Sequence, residues 1–179
     1  MAIEDTQAKG FELELGLAIK QAQAGDERAF EVIYRATVGR VYGLCLRMTA
    51  QVSIAEECTQ KTFIQAWLKL DSFRGDARLQ TWLYRIAVNE VLGLKRKGRQ
   101  LFNPLGSSEE ASTDDPAQTL DLEVAIEMLP EKQRQVFVLH GIYGHGHEEV
   151  GRLLEIAEGT SKAHYHRARK MLMRSLAET

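Results

Sequence analysis

The chain has 179 residues, enough for one ordinary domain or two small ones, and 44% of them are hydrophobic, as in a globular protein. The N-terminus is polar and no run of about 18 apolar residues occurs, so we expect a cytoplasmic protein without a signal peptide or membrane span. The net charge of −2 argues against a protein that coats DNA by charge alone.

Charge is unevenly distributed along the chain. Residues 71–102 contain seven Lys or Arg and three Asp or Glu, a net +4, whereas residues 103–123 contain six acidic residues and no basic one. The negative total therefore comes largely from one short segment. A local basic surface remains available for an anionic partner.

Helical periodicity begins before the basic segment. Apolar residues recur at helical spacing from Leu13 to Ala24, and again after Asp26, a candidate N-cap. This second pattern comprises Phe30, Ile33, Tyr34, Val38, Val41, Tyr42, Cys45 and Met48. A third helix is predicted from Ser53, because Ser53 and Glu56 have the spacing of a capping box. Its apolar residues are Cys58, Phe63, Ala66, Trp67 and Leu70.

Two cysteines fall within these patterns. Cys45 and Cys58 are isolated thiols at apolar positions, without the paired spacing of a metal or redox site. We expect both in the core.

The next helix, from about Ala77 onward, has two faces. Its apolar face contains Leu79, Leu83, Ile86, Ala87, Val91 and Leu94. A second stripe contains Arg78, Arg85, Asn89, Arg96 and Arg99, with Trp82 near its start. Arg and Asn can donate to phosphates and base edges, and Trp can stack on an unpaired base for roughly 1–3 kcal/mol. The alternatives are a solvated Arg face and a core Trp.

Residues 103–120 are rich in Pro, Gly, Ser, Asp and Glu and are predicted to form a flexible acidic linker. A short helix follows, with Leu122, Ala125, Ile126 and Leu129 on its apolar face, and it ends at Pro130. Pro130 then opens another helix through Val136, Phe137 and His140, which ends at a turn over residues 144–146.

The C-terminal pattern has the outline of a helix-turn-helix: a short helix with Val150, Leu153 and Leu154, a break over residues 155–159, and a longer helix from Thr160. We expect Tyr165, Ala168, Leu172 and Leu176 on its inner face and Lys162, His164, His166, Arg167, Lys170 and Arg174 on its outer face. No strand-like alternation of useful length occurs. The chain is therefore predicted to be all-α, with two small helical domains.

The sequence offers little for catalysis or metal binding. No P-loop, GxSxG or HExxH motif occurs, so we expect neither an enzyme nor a cofactor. His145 with His147, and His164 with His166, form two HxH pairs. Residues two apart on a helix point about 200° apart, so solvated or DNA-facing histidines are the expected interpretation.

In their order, four tracts resemble the extracytoplasmic-function group of sigma-70 RNA polymerase sigma factors. The tracts are DERAFEVIYR, SIAEECTQKTFIQAWLKLDSFRG, TWLYRIAVN and LPEKQRQVFVLHGIYG with EEVGRLLEIAEGTSKAHYHRARKML. The resemblance implies a polymerase-binding and −10 element domain over residues 1–102, a linker over 103–120, and a −35 element domain over 121–179. It also implies RNA polymerase core, through its β′ clamp helices and β flap, and promoter DNA as partners. An anti-sigma factor is often a further one.

The resemblance also suggests roles for particular residues. Polymerase docking would involve Glu57, Gln60 and Phe63, for which core packing of Phe63 is the alternative. Contact with the −10 element would involve Arg78, Trp82, Arg85, Asn89 and Arg96. The −35 element would meet Thr160, Lys162, His164, His166, Arg167 and Lys170.

Several positions depart from the family pattern. Lys61 stands where an acidic residue is common, and Gly93 where a polar base-reading residue can occur. In the helix-turn-helix, Gly151, Glu155 and Ala157 replace the usual Ala, Gly and Ser, which predicts a looser motif. Ala163 and His164 replace Ser and Arg, so the preferred upstream sequence should differ.

Two other functions fit the same pattern. A stand-alone helix-turn-helix regulator with an N-terminal sensor or dimerisation domain would bind closed duplex DNA without polymerase. A helical enzyme or an interaction scaffold would bind neither polymerase nor promoter DNA.

Overall fold

A computed structural model of the chain describes the backbone of residues 2–97 and 116–177 and the side chains of residues 13–94 and 121–177. Every regular element within these ranges is helical, which confirms the all-α prediction. The predicted linker up to residue 115 lies outside them, as do the Arg96 side chain and Arg99.

Four helices form the N-terminal domain: α1 (Ala2–Gln23), α2 (Glu27–Thr49), α3 (Val52–Lys69) and α4 (Leu79–Lys97). A single 3₁₀ turn, Leu70–Ser72, follows α3. The central helix α2 packs against the other three. Its buried side chains include Ile33, Leu44 and Met48, and burying each such side chain contributes about 1.5–3 kcal/mol.

Helix ends in this domain follow local chemistry. The Asp26 carboxylate accepts from the Arg28 and Ala29 backbone N–H groups at 2.9 and 3.3 Å, which confirms the predicted N-cap. The capping box at Ser53 is wrong, because α3 begins at Val52 and its N-cap residue is Gln51. There Ala50 adopts a left-handed conformation that ends α2, and the N-cap of α3 lies two residues before Ser53.

The C-terminal domain contains α5 (Pro116–Glu127), α6 (Glu131–Val136), α7 (His147–Leu154) and α8 (Glu158–Ala177). After α6 the chain continues as a π-helical stretch, Phe137–Ile142. Helix α5 starts within the predicted linker, with proline at its first position, where a missing N–H costs nothing. Helices α5, α6 and α7 all pack against α8.

Most predicted core residues are buried, including both cysteines. Several residues of the predicted apolar patterns are instead exposed, among them Leu13 by 79%, Tyr34 by 42%, Leu122 by 37% and Leu176 by 41%. Tyr34 borders a surface groove, Leu122 lies in the middle of α5, and Leu176 is in the last turn of α8. Periodicity predicts which side of a helix faces the core, but it does not show how far along the helix the packing partner extends.

The two domains contact each other directly. Helix α2 packs against α5 and α6, and α4 packs against α7. The Arg134 guanidinium, 8% exposed, donates to the carbonyl of Thr49 in the last turn of α2, at 3.2 Å. The basic face of α4 and the helix-turn-helix therefore lie side by side.

Candidate functional site

An apolar groove of about 1080 Å³ lies between α2 and α3. Two edge-to-face aromatic pairs stand along it: Phe30 with Trp67, centroids 5.0 Å apart, and Tyr34 with Phe63, 4.7 Å apart. Such pairs contribute about 0.5–1.5 kcal/mol each beyond area burial, so they hold the two walls in a fixed geometry. The groove is open to the surface along α2 and α3.

The three residues predicted for polymerase docking all border this groove. Gln60 is exposed, Glu57 is half-buried, and Phe63 is 5% exposed. Phe63 therefore belongs to the core and also forms part of the groove wall. Lys61, which departs from the family pattern, forms an ion pair with Glu57 at 2.5 Å. The hydrogen bond to Glu57 raises the pKa of Lys61, so Lys61 stays protonated and offsets the charge of Glu57.

Sequence reasoning missed two apolar residues in the same groove. Ile64 and Leu68 are 52% and 68% exposed and lie one turn apart on α3, next to Gln60. Large apolar side chains with this exposure mark contact surfaces when they cluster. The sequence could have identified them as exposed, because both residues fall outside the predicted apolar stripe of α3 and lie four and eight residues after Gln60, on the same side of the helix.

On α4 the structure brings together two predicted −10 residues. Arg85 and Asn89 are exposed, lie one turn apart and border the same cavity of about 480 Å³. Arg78 is exposed just before the helix. Trp82 is half-buried and packs on Phe73, with ring centroids 5.3 Å apart. The indole is thus partly a structural anchor and is only partly exposed.

The Arg85 guanidinium has a partner from the other domain. Its Nη2 lies 3.3 Å from Oε1 of Glu149 on α7. The other oxygen of Glu149 lies 3.1 Å from Nδ1 of His145, which is 8% exposed. The hydrogen bond from His145, with a smaller effect of Arg85, holds the pKa of Glu149 below its usual range. Glu149 is therefore an ionised carboxylate at neutral pH, positioned against α4.

The outer face of α8 carries the predicted −35 residues. Thr160, Lys162, His166, Arg167 and Lys170 are all exposed, and they lie opposite the buried Ser161, Ala168 and Leu172. Lys162 also pairs with Glu158 at 2.6 Å. His164 differs from the prediction, because it is half-buried at the margin of this face and its Nδ1 is enclosed. Burial, with the nearby charges of Arg167 and Lys132, lowers the pKa of His164.

The histidines pair differently from the HxH spacing. His147 stacks on His140 at 3.8 Å between ring centroids, and its Nδ1 is 3.0 Å from the Ser161 hydroxyl oxygen. His145 instead contacts Glu149. Within the described part of the chain, no three His, Cys, Asp or Glu side chains cluster in a way that could hold a metal ion.

Two family profiles match the chain in the order of its domains. Sigma-70 region 2 matches residues 33–100, which span most of α2, α3 and α4. Sigma-70 region 4 matches residues 119–172, from α5 into α8. Together the profiles include every predicted contact residue.

Whole-length comparisons agree. The ECF RNA polymerase sigma factor SigW of Bacillus subtilis is 32% identical over 89% of this chain and 95% of its own length. The ECF sigma-E factor of Escherichia coli is 30% identical over 86% of this chain and 90% of its own. Among solved structures, the sigma factor RpoE of Bartonella quintana, crystallised with the anti-sigma factor NepR, aligns with a TM-score of 0.64. The alignment has 26% identity and covers 83% of this chain and 96% of that one.

No helix in the described residues is long and apolar enough to cross a membrane. Both sigma regions match family profiles, and the relatives align over nearly their whole length. These matches assign the chain to one family. The chain belongs to the extracytoplasmic-function group of sigma-70 RNA polymerase sigma factors, which direct promoter-specific transcription initiation.

Proposed function

We propose that this sigma factor uses three separate surfaces: the α2–α3 groove for RNA polymerase core, the α4 face for the −10 element, and the outer face of α8 for the −35 element. The proposal rests on the observation that three surfaces, each suited to a different partner, are exposed on one chain. An apolar groove, an Arg–Asn face and a basic recognition helix each lie at the surface.

The groove suits a helical partner. Its aromatic walls and the exposed Ile64 and Leu68 supply apolar contact, while Gln60 and Glu57 supply polar contact at the margin. Amphipathic helices bind such grooves through apolar side chains one turn apart. We assign the groove to the β′ clamp helices, with Phe63 as part of its wall, and the C-terminal domain to the β flap.

On α4, Arg85 and Asn89 would contact the opened −10 strand, and Arg78, with Arg96 farther along the helix, would bind phosphates. Strand opening costs a few kcal/mol per unstacked base, which new contacts must offset. Stacking of a base on the partly exposed Trp82 ring would supply about 1–3 kcal/mol. The exposure of Arg85 and Asn89 one turn apart supports this role.

On α8, Arg167, Lys170, Lys162 and Thr160 would enter the major groove at the −35 element, together with His166. Arg and Lys can read guanine edges or bind phosphates. His164 lies at the margin of this face, so its contribution would come through an accessible ring edge.

The protein would act by binding and positioning, without catalysis, and in the cytoplasm with its polymerase. Regulation would come from a signal-responsive partner. The Bartonella quintana relative was crystallised with an anti-sigma factor, and a partner of that class is proposed here.

The test is run-off transcription by bacterial core polymerase, with and without this protein, on a fragmented genomic library from its host. New start sites that share two spaced upstream elements would support the proposal. Duplex binding without initiation would favour the stand-alone regulator.

Docking is tested separately by binding of labelled core polymerase. Leu68→Asp places a charge in the groove and should weaken core binding at least about tenfold, because a desolvated carboxylate costs more than 1.4 kcal/mol. Val32→Asp is the matched control, since Val32 is 40% exposed on α2 and does not border the groove. Equal binding by both variants would contradict the groove assignment.

A further inference from the structure

The contact between the two domains includes two charge pairs, Arg47–Glu123 and Arg85–Glu149. Arg47 on α2 and Glu123 on α5 are joined by three hydrogen bonds of 2.6, 2.9 and 3.0 Å. Each side chain is only about a quarter exposed. Burial disfavours the charge on Arg47, but the hydrogen bonds and charge of Glu123 outweigh burial and raise the pKa of Arg47. This bidentate geometry is the strong form of an ion pair.

Tyrosines continue the same contact. The Arg47 guanidinium also donates to the Tyr143 hydroxyl at 3.3 Å. The Tyr143 ring packs edge-to-face on Tyr84 of α4, with centroids 4.7 Å apart. Burial raises the pKa of Tyr143 to about 12, against the opposing charge of Arg47, so the phenol stays neutral. This line of contacts leads to the second charge pair, Arg85 with Glu149.

We propose that these contacts form an autoinhibitory latch, in which Glu149 takes the place of a DNA phosphate on Arg85 while the Arg47–Glu123 pair holds the two domains closed. The inference rests on the proposed role of Arg85 in binding DNA. His145 fixes the carboxylate of Glu149, and Arg152 and Leu153 of α7 border the same cavity as Asn89. Part of the −10 surface is therefore engaged by the chain itself, because Arg85 is paired and α7 lies beside Asn89.

Promoter geometry requires the latch to open. Elements named for positions 10 and 35 upstream of the start lie about 25 base pairs apart, or roughly 85 Å at 3.4 Å per base pair. In the closed chain, Glu149 of α7 touches Arg85, and α7 packs directly on α8, a helix of about 30 Å. A closed molecule cannot place α4 and α8 on both elements at once.

The latch leaves the docking groove accessible. None of the residues that border the groove belongs to the Arg47–Glu123, Tyr84–Tyr143 or Arg85–Glu149 pairs. Core polymerase can therefore bind the closed form first. Separation of the domains on the polymerase then frees Arg85 from Glu149 and moves α7 away from Asn89.

Small-angle X-ray scattering of the full chain tests the closed form. Size scaling gives a radius of gyration of roughly 16 Å for a compact chain of 179 residues. The double variant Glu123→Gln/Glu149→Gln should show a clearly larger radius than the unchanged protein. The matched control is Glu31→Gln/Glu148→Gln, which removes two acidic groups from exposed pairs within α2 and α7.

A charge swap separates the latch from a folding defect. Arg47→Glu should open the chain, and Arg47→Glu/Glu123→Arg should close it again, because the pair is restored with its signs reversed. An unchanged radius in Glu123→Gln/Glu149→Gln would overturn the latch. Failure of the swap to restore the smaller radius would also count against it.

Binding to a fluorescein-labelled, 20-nucleotide single-stranded DNA of mixed sequence tests the occupied surface. Glu149→Gln should tighten binding about two- to fivefold, the range of an exposed ion pair, and by more than Glu148→Gln. Adding Arg85→Ala should remove the gain. If the chain opens but Arg85→Ala leaves DNA affinity unchanged, the closed contact between the domains is real, but the DNA role of Arg85 and the autoinhibition by Glu149 are both wrong.

Discussion

The carbonyl oxygen of Ile156 lies over Gly151, 2.8 Å from the point where a side-chain Cβ would stand. The Ile156 backbone N–H also donates to the Gly151 carbonyl at 2.9 Å. The turn of the helix-turn-helix is therefore folded tightly onto α7. Gly151 allows this approach because it has no side chain. The sequence predicted a looser turn from the glycine at this position, but the turn in the structure is close.

The change Gly151→Ala should destabilise the chain by about 1–3 kcal/mol, because the new methyl group meets a backbone oxygen that cannot move alone. Urea denaturation followed by circular dichroism measures the loss. Gly159→Ala is the control, because Gly159 lies in α8 with nothing within 4 Å of the point where a Cβ would stand. The stability of this variant should equal that of the unchanged protein or exceed it. Equal stability of Gly151→Ala and the unchanged protein would contradict the tight turn.

A second departure, Glu155, carries a backbone cost. Glu155 ends α7 with φ 55° and ψ 45°, the left-handed region that favours glycine. Glu155→Gly should therefore raise stability by about 1 kcal/mol, since the left-handed conformation costs a non-glycine residue about 1–2 kcal/mol and the flexible unfolded chain offsets part of the gain. The thermal midpoint measures the change.

The control for this variant is Arg152→Gly within α7, which should lower stability by about 1 kcal/mol through helix propensity. If Glu155→Gly also lowered stability, the side-chain interactions of Glu155 would outweigh its backbone cost.

The pH dependence of stability should come from the C-terminal domain. Burial lowers the pKa of His147, assisted by the charges of His140 and Lys162. Because the folded-state pKa lies below the ordinary 6.5, the unfolded chain takes up more protons as pH falls through that value. Stability is therefore complete above about pH 7 and falls as the solution is acidified toward the lower, folded-state pKa.

Thermal melting between pH 7.5 and 5 measures this slope. His147→Asn should flatten it, because asparagine does not titrate, although loss of the stacking with His140 lowers stability at every pH. His166→Asn is the matched control, since His166 is an exposed histidine of the same domain. A slope unchanged in His147→Asn would place the titrating group elsewhere.

Sequence periodicity predicted the helices because most of them bury one stripe of apolar residues on neighbouring elements. The same reasoning located the exposed basic face of α8, and the N-cap at Asp26 followed from a bond between residues two and three apart. The capping box at Ser53 was wrong because the left-handed Ala50 shifts the start of α3, and no local pattern marks that residue.

The contact between the two domains could not be predicted from the sequence. Arg47 and Glu123 are 76 residues apart, and nothing in their neighbours indicates that they pair. From the sequence, Glu149 is an ordinary acidic residue in the first turn of α7, where a carboxylate interacts favourably with the helix dipole. Only the packing of α4 on α7 brings it to Arg85.

The recognition helix offers the most direct test of DNA binding. Arg167 is exposed on the outer face of α8, one turn from the similarly exposed Lys170. If its guanidinium contacts one phosphate, Arg167→Ala should weaken duplex binding about tenfold and reduce the slope of log affinity against log salt by about 0.9. Fluorescence anisotropy from 50 to 200 mM salt, with a duplex carrying the upstream element found by run-off transcription, measures both quantities.

The matched control is Arg35→Ala, because Arg35 is an exposed arginine of α2 that pairs with Glu31 at 2.6 Å. It removes the same charge from the other domain and should leave the salt slope unchanged. A base contact by Arg167 would be seen differently: affinity would fall for the upstream element but much less for a scrambled duplex, because guanine recognition is specific and phosphate contact is not. Equal slopes and equal affinities for Arg167→Ala and Arg35→Ala, on the upstream element and on the scrambled duplex, would remove Arg167 from the DNA interface.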